Sequence, residues 1–365
     1  MNLRDGGHSL IVVVGAGGVG KTTLAASLGL MSARYGRNTL VMTFDPSARL
    51  KDTLGVGEHA RDCEVPVRAG TEGSLAASLL DAKLTFDRLV RRYAPDEAAA
   101  SRILSNRFYG HLAGNLAGIL EYMAVERLFE VAGEGRYDRV ILDTPPTRQA
   151  LDFLGAPSRI VGFLDSGALG LALRPWFDDK GRLKPTAHLG MVGRSVEGFL
   201  DRMVGIDLLR EMAEFFQAFS PLFQGFRERA ESVQALLKSP DTTFVLVTGP
   251  GEERVPETAF FARHLVEGGY HLGPLIVNMV HPRTSAELLV RPDLGDGARL
   301  LSWLGERDHR GIAAFRRLIL GQQVLVDVPL LAQEPTDLSS LEVLGRMVAQ
   351  KIEGSLESLA GPFRQ

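Results

Sequence analysis

The stretch Leu10 to Thr23, LIVVVGAGGVGKTT, limits what this 365-residue chain can fold into more than any other. Apolar and β-branched residues run into Gly15, and after four further residues come Gly20, Lys21 and Thr22, the GxxxxGK[ST] spacing set directly behind a strand. The pattern predicts a phosphate-binding loop. Its backbone must wrap a triphosphate with N–H groups inward, from Gly15 through Val19, in turns that a Cβ at Gly17, Gly18 or Gly20 would obstruct. Lys21 supplies a point charge. The helix that opens at Gly20, with Thr23 in its first turn, aims its positive dipole end at the phosphates, and the Thr22 hydroxyl is placed to ligate magnesium. Glycine-rich strand-to-helix turns also occur for packing alone, but here strand, spacing, Lys-Thr and helix occur together.

The remainder of the chain alternates in the way such a loop requires. A helix over Lys21 to Tyr35, with Leu24, Leu28 and Met31 on one face and Gly36 closing it, leads into the strand NTLVMTF. That strand ends in Asp45, which puts a carboxylate at the carboxyl end of a buried strand, where open α/β sheets bind ligands; capping of the next helix is the alternative. Cys63 to Val67 and residues 74 to 81 are strand candidates, followed by a helix from Ala82 to Tyr93 that Pro95 ends. DRVILDTPPT, residues 138 to 147, is an apolar strand ending in Asp143, a Walker B pattern whose carboxylate holds magnesium through water. Three further buried strands are expected at 242 to 249, 274 to 280 and 322 to 329, separated by helices from Pro256 to Gly268 and Ala298 to Leu320. Alternating strand and helix implies right-handed crossovers, hence an α/β, doubly wound, mostly parallel sheet. Asn278, near the end of its strand, offers the donor and acceptor that recognition of a polar base edge needs.

Two helical stretches interrupt this pattern. Ala98 to Phe129 carries Leu104, Phe108, Leu112, Leu116, Leu120 and Met123 at helical spacing. Residues 155 to 238 carry Val196, Phe199, Leu200, Met203, Leu208, Met212, Phe215, Phe216, Phe219, Phe223 and Phe226, with Pro221 as a bend or break and a polar Gly/Pro loop at 177 to 190. Stripes of this kind are core faces or a groove for an apolar client. The expected division is a nucleotide core from about 8–70, 136–156 and 240–345 and a helical insertion subdomain from about 82–131 and 157–238, within one domain.

Charge and cysteine usage narrow the classes of partner. A formal net charge of −3 gives no reason to expect nucleic acid or an anionic membrane. The single cysteine, Cys63, forbids an internal disulfide and a multi-cysteine metal site within one chain, which suits a reducing cytoplasm. No stretch of signal-peptide character precedes the first strand, and none is long enough to span a bilayer, so neither export nor stable membrane insertion is expected.

GGVGKTT is narrower than the general motif. It resembles the deviant Walker A loop, GKGGVGKTT, of the dimeric ATPases that include ArsA, MinD/ParA and the nitrogenase iron protein. FDPSARL, DTPPTRQALDFLGAP and IVNMVHP extend the resemblance to ArsA-like and tail-anchored-protein-targeting ATPases over nearly the whole chain, nearest to bacterial anion-transporting ATPases. The resemblance implies a P-loop NTPase fold, ATP and Mg2+ as ligands, and hydrolysis in which Asp45 orients the attacking water. It implies an adenine contact from Asn278 and a nucleotide-flanking loop at 328 to 341, including Pro329. It also implies a dimer, as homodimer or with a paralogue, and a hydrophobic or membrane-protein client. Some positions depart from it. The family's extra lysine, which reaches the partner's nucleotide, falls at Ala16; the alternatives are that Arg49 or Arg148 substitutes for it, that a paralogue in a heterodimer retains it, or that both arginines only pair with surface carboxylates. Neither a cysteine set for arsenite nor a CxxC for zinc is present, so arsenite pumping is disfavoured. A MinD/ParA-like positioning switch and a scaffold that no longer hydrolyses are the other classes.

Overall fold

The computed structural model describes the chain except residues 2, 5–6, 45–48, 58–59, 107–108, 110–118, 166–214, 216–221, 284–294, 319–322 and 361–365. Contacts divide it into two compact units: Met1–Leu80 with Glu130–Asp152 and Ala235–Gln365, and Asp81–Phe129 with Phe153–Gln234.

In the first unit, β1 (Leu10–Gly15) leads through the loop into α1 (Lys21–Arg34), β2 (Thr39–Thr43), α2 (Arg49–Leu54), β3 (Val65–Pro66) and β4 (Leu75–Leu79). The second unit contributes α3 (Ala82–Tyr93), α4 (Glu97–Ser105) and most of α5 (Ile119–Glu134). Then come β5 (Arg139–Asp143), α6 (Thr147–Asp165) and α7 (Phe223–Lys238), followed by β6 (Thr242–Thr248), α8 (Val255–Glu267), β7 (Leu272–Val280), α9 (Asp296–Leu318), β8 (Leu325–Pro329) and α10 (Leu338–Ala360). The eight strands form one sheet in the order β3-β4-β2-β5-β1-β6-β7-β8, parallel throughout except for β3 against β4. β1 therefore lies between β5 and β6, where the strand order reverses, and ligands of such sheets bind at the carboxyl ends around that point.

β1, β2, β4, β5 and β6 are buried along their whole length, as strands covered on both faces must be. β8 differs from the buried strand expected at 322 to 329: as an edge strand its burial alternates, and it begins at Leu325. The candidate at Cys63 to Val67 shortens to Val65–Pro66, because Pro66 has no N–H to give a ladder and suits only an outer strand. α1 departs from the amphipathic expectation more strongly. Besides Leu24, Leu28 and Met31 it buries Ala25, Ala26, Ser27, Gly29, Leu30, Ser32 and Ala33. α10 packs along it so closely that a Cβ on Gly345 would sit 2.5 Å from Met31 Cγ. Ile11, Val13, Leu24 and Leu28 share one core with Leu341, Leu344, Val348 and Ile352 of α10.

A buried arginine in β5 closes the other end of the sheet. Arg139 donates from Nη1 to Leu3 O at 2.8 Å and from Nε to His8 O at 3.1 Å, tying the N-terminal segment to the strand that carries Asp143. Burial, and then the charge of Arg37, brings its pKa down to about 10, so it stays cationic at neutral pH.

In the second unit Met123, Phe215 and Phe226 are buried, whereas Leu104 and Leu120 are half-buried. Phe215 stacks on Tyr109 and Phe226 on Tyr122, with ring centroids 6.2 Å and 5.1 Å apart. Beside them Arg229 donates from Nε to Glu126 at 2.5 Å and lies over the Tyr93 ring at 4.2 Å, a buried ion pair closed by aromatic faces. Phe108, Leu112, Leu116, Val196 through Met212, Phe216, Phe219, Pro221 and the loop at 177 to 190 fall outside the described residues. No helix among the described residues is long and apolar enough to cross a membrane.

Candidate functional site

Strand register brings the site together. Val13 of β1 and Thr43 of β2 both pair with Asp143 of β5, so three strand ends meet beneath the glycine loop. Asp143 is fully buried there. Its Oδ2 accepts from Thr22 Oγ1 at 2.8 Å and from Thr43 Oγ1 at 3.0 Å, and the next residue, Thr144, donates its hydroxyl back to Val13 O at 2.8 Å. Thr43 was missed in the sequence; only its place two residues before Asp45 could have flagged it.

The loop itself needs glycine for two kinds of reason. Gly15 passes so close to β6 that a Cβ would collide with the Val247 carbonyl oxygen. Gly20 takes a left-handed φ of 84° directly before α1, and a Cβ there would stand 2.5 Å from Asn278 Nδ2. No side chain caps the first turn of α1, which leaves its amide end to face the cleft. Lys21 is buried, and its Nζ donates to Ala16 O at 2.8 Å, so the ammonium is folded over the loop rather than out into solvent.

A cleft of about 530 Å³ opens over this loop. Gly17, Gly18 and Gly20 to Thr23 form its floor, and Asp52, Thr53, Pro146, Met279 and Glu334 to Thr336 its walls. Pro146 lies against Gly17, 3.7 Å from where a Cβ would be. Pro329, expected to flank the nucleotide, lies at the exposed end of β8 and outside this lining, the wall being built five residues further on where the chain turns into α10. Asp337 caps that helix: its Oδ1 accepts from Ser340 N and from the Ser339 and Ser340 hydroxyls, each at 2.8 Å. The Ser340 amide and then the two hydroxyls hold the Asp337 carboxyl down at about 2.

Asn278 does not simply face the cleft. It is buried, and its Nδ2 donates to Val19 O at 2.8 Å, bracing the glycine loop from β7. The next residue is the unusual one. Between Val277 and Val280 the register with β8 advances three residues against two, a bulge, and within it Met279 adopts φ 62° and stays 39% exposed between buried neighbours. A left-handed methionine costs about 1–3 kcal/mol and persists only where the surroundings hold it. Here they do. Leu330 N donates to Val280 O at 2.8 Å, and both the amide and the Nδ1 of His281 are held by Asp308 Oδ2, at 2.9 and 2.8 Å. Burial works to raise the Asp308 pKa, but the His281 amide and ring and the Arg307 guanidinium outweigh it and hold the carboxyl below its ordinary value.

The other expected residues are placed unevenly. Asp45 lies outside the described residues, as does the side chain of Arg49, whose backbone opens α2. Arg148 sits in the first turn of α6, which begins at Thr147 rather than near 155. It is exposed, and among the described residues it makes no hydrogen bond or ion pair. The donor set at Thr22, Thr43 and Asp143 is entirely oxygen, which fits magnesium: that ion is held by one or two protein ligands and completes its shell with water and substrate phosphate.

Residues 8–170 match the family described as anion-transporting ATPase. An Aquifex aeolicus protein assigned as an arsenical pump-driving ATPase is 26% identical over 93% of this chain and 78% of its own length. The Arabidopsis thaliana ATPase GET3B is 27% identical over 92% of this chain and 77% of its own, and the Kluyveromyces lactis ATPase GET3 28% identical over 75% and 72%.

Proposed function

We propose that this chain, an ATPase of the ArsA- and GET3-like group, hydrolyses ATP in the cleft over β1 and passes the nucleotide state to its helical unit to hold an apolar client. The observation that carries the reading is the hydrogen bond from Thr22 Oγ1 to the fully buried Asp143 Oδ2, which sets a hydroxyl and a carboxylate side by side at the mouth of the loop. Lys21 and the loop amides from Gly15 to Thr23 cradle the phosphates, while Thr22 and, through water, Asp143 hold magnesium. Held by these residues, magnesium would supply neutralisation of phosphate charge. Asp45 is the residue assigned to orient water for in-line attack, and Asn278 braces the glycine loop through Val19 O. The working unit is a dimer, of this chain or with a paralogue, in the cytoplasm. A net charge of −3 supports a protein client over nucleic acid, and the lone Cys63 argues against arsenite as cargo.

Two variants test this together. Lys21→Ala should abolish nucleotide binding, whereas Asp45→Asn should bind ATP and lose turnover, because Lys21 contacts ground-state phosphate and Asp45 acts only on the attacking water. Normal hydrolysis by Asp45→Asn would sink the assignment. Proteins that co-purify with Asp45→Asn held in ATP identify the client, and their absence would remove that part of the reading.

A further inference from the structure

We propose that Met279 is a binding contact for the base of the bound nucleotide, an apolar platform set out over the cleft by the bulge in β7; the proposal rests on the reading that the cleft binds ATP. Three observations converge on this residue. Its backbone is left-handed at φ 62°, in a residue type with no intrinsic preference for that region, and such outliers gather at ligand clamps. It is exposed between buried Asn278 and buried Val280, which is the re-aiming of a side chain that a bulge produces. And it lines the same cleft as Gly20, Thr22, Thr23 and Pro335.

Geometry then divides the work between neighbours. Asn278 is turned inward and spends its Nδ2 on Val19 O, so the polar group next in the chain serves the loop. Met279 is turned outward, with its Cε 3.4 Å from the position of a Cβ on Gly20, directly over the start of α1. Of the residues that line the cleft, Met279 is the one that β7 supplies. Thioether sulfur packs well on aromatic rings, and an unbranched chain adapts to a flat base face. His281, held twice by Asp308, prevents the bulge from relaxing behind it.

The test compares a ligand with a base and one without. Calorimetric titrations with the magnesium complexes of the β,γ-imido analogue of ATP and of inorganic tripolyphosphate are run on the full chain and on Met279→Gly and Met279→Leu. Glycine keeps the left-handed backbone at no steric cost and removes the platform, whereas leucine keeps the apolar bulk. Met279→Gly should weaken the analogue by about fivefold to tenfold and leave tripolyphosphate unchanged, and Met279→Leu should bind both within about twofold of wild type. Equal weakening of both ligands by Met279→Gly means that Met279 supports the loop and not the base, and overturns the proposal, as does an unchanged affinity for the analogue. If wild type binds neither ligand, the reading of the cleft fails and this assignment falls with it.

Discussion

Thr22 Oγ1 and Asp143 Oδ2, 121 positions apart in the chain, are hydrogen-bonded at 2.8 Å in the core of the sheet's carboxyl end. Asp143→Asn keeps the shape but loses the charge that a magnesium shell needs. It should lower magnesium-dependent phosphate release by at least about a hundredfold, with Thr22→Ser far milder than Thr22→Val because serine retains the hydroxyl. Phosphate release over a magnesium titration measures this, and an ordinary magnesium response in Asp143→Asn would take that residue out of the metal site.

Gly20 and Gly18 are both left-handed, at φ 84° and 74°, but only Gly20 has a neighbour in the way. Gly20→Ala therefore combines backbone strain with a push on Asn278 Nδ2 and should cost about 1–3 kcal/mol, with loss of ATP binding. Gly18→Ala meets nothing within 4 Å and should cost only the strain, about 1 kcal/mol. Urea unfolding of both variants decides; equal losses would show that the approach to Asn278 is unimportant.

Arg148 is an exposed cation two residues beyond Pro146, which lies against the glycine loop, while Ala16 leaves that loop without a second lysine. If Arg148 serves the transferring phosphoryl group, in its own subunit or its partner's, Arg148→Ala should slow single-turnover hydrolysis about tenfold or more with ATP affinity little changed. Arg49→Ala is run beside it. An unchanged rate in both ends the substitute-cation idea. Rescue of an inert wild type by Ala16→Lys or by an added paralogue leaves a heterodimer in its place.

Asp337 ties the start of α10, and with it one wall of the cleft, to pH. Its carboxyl titrates at about 2 in the folded chain, below the roughly 3.9 of a free aspartate. A depressed carboxylate stabilises the fold fully above the unfolded value, and that contribution fades as pH falls through the folded one. Wild type should thus exceed Asp337→Asn in stability by a constant margin above about pH 4, and the margin should shrink toward pH 2. Parallel urea melts across that range measure it. A margin that grows on acidification would contradict the cap.

Much of the architecture was legible because its signals are local. Strand, glycine spacing and Lys-Thr from Leu10 to Thr23, and the apolar run ending in Asp143, each depend on a few consecutive residues, and the structure builds the strands and helices they announce within a few positions. Burial was less legible. The pattern of α1 marked one face as apolar, yet both are covered: α10, which follows more than 300 residues later, packs at Met31 and Ser27, and on the other side Gly29 lies against Val41 of β2 and Leu75 of β4.

What the amino-acid order determined by itself was the chemistry available: a phosphate loop, a hydroxyl at Thr22, a carboxylate at the end of the β5 strand, and an alternation that yields a parallel sheet. Tertiary structure alone decided which of these meet. Val13 and Thr43 share a register with Asp143 only once β5 is inserted between β1 and β2, so Thr43 acquires its role from pairing and not from any motif. The bulge at Asn278 and Met279 exists only against β8, and it turns one of two adjacent residues into the loop and the other into the cleft. A one-residue change of register inverts the direction of every side chain beyond it, and register is a property of paired strands that neither strand encodes alone.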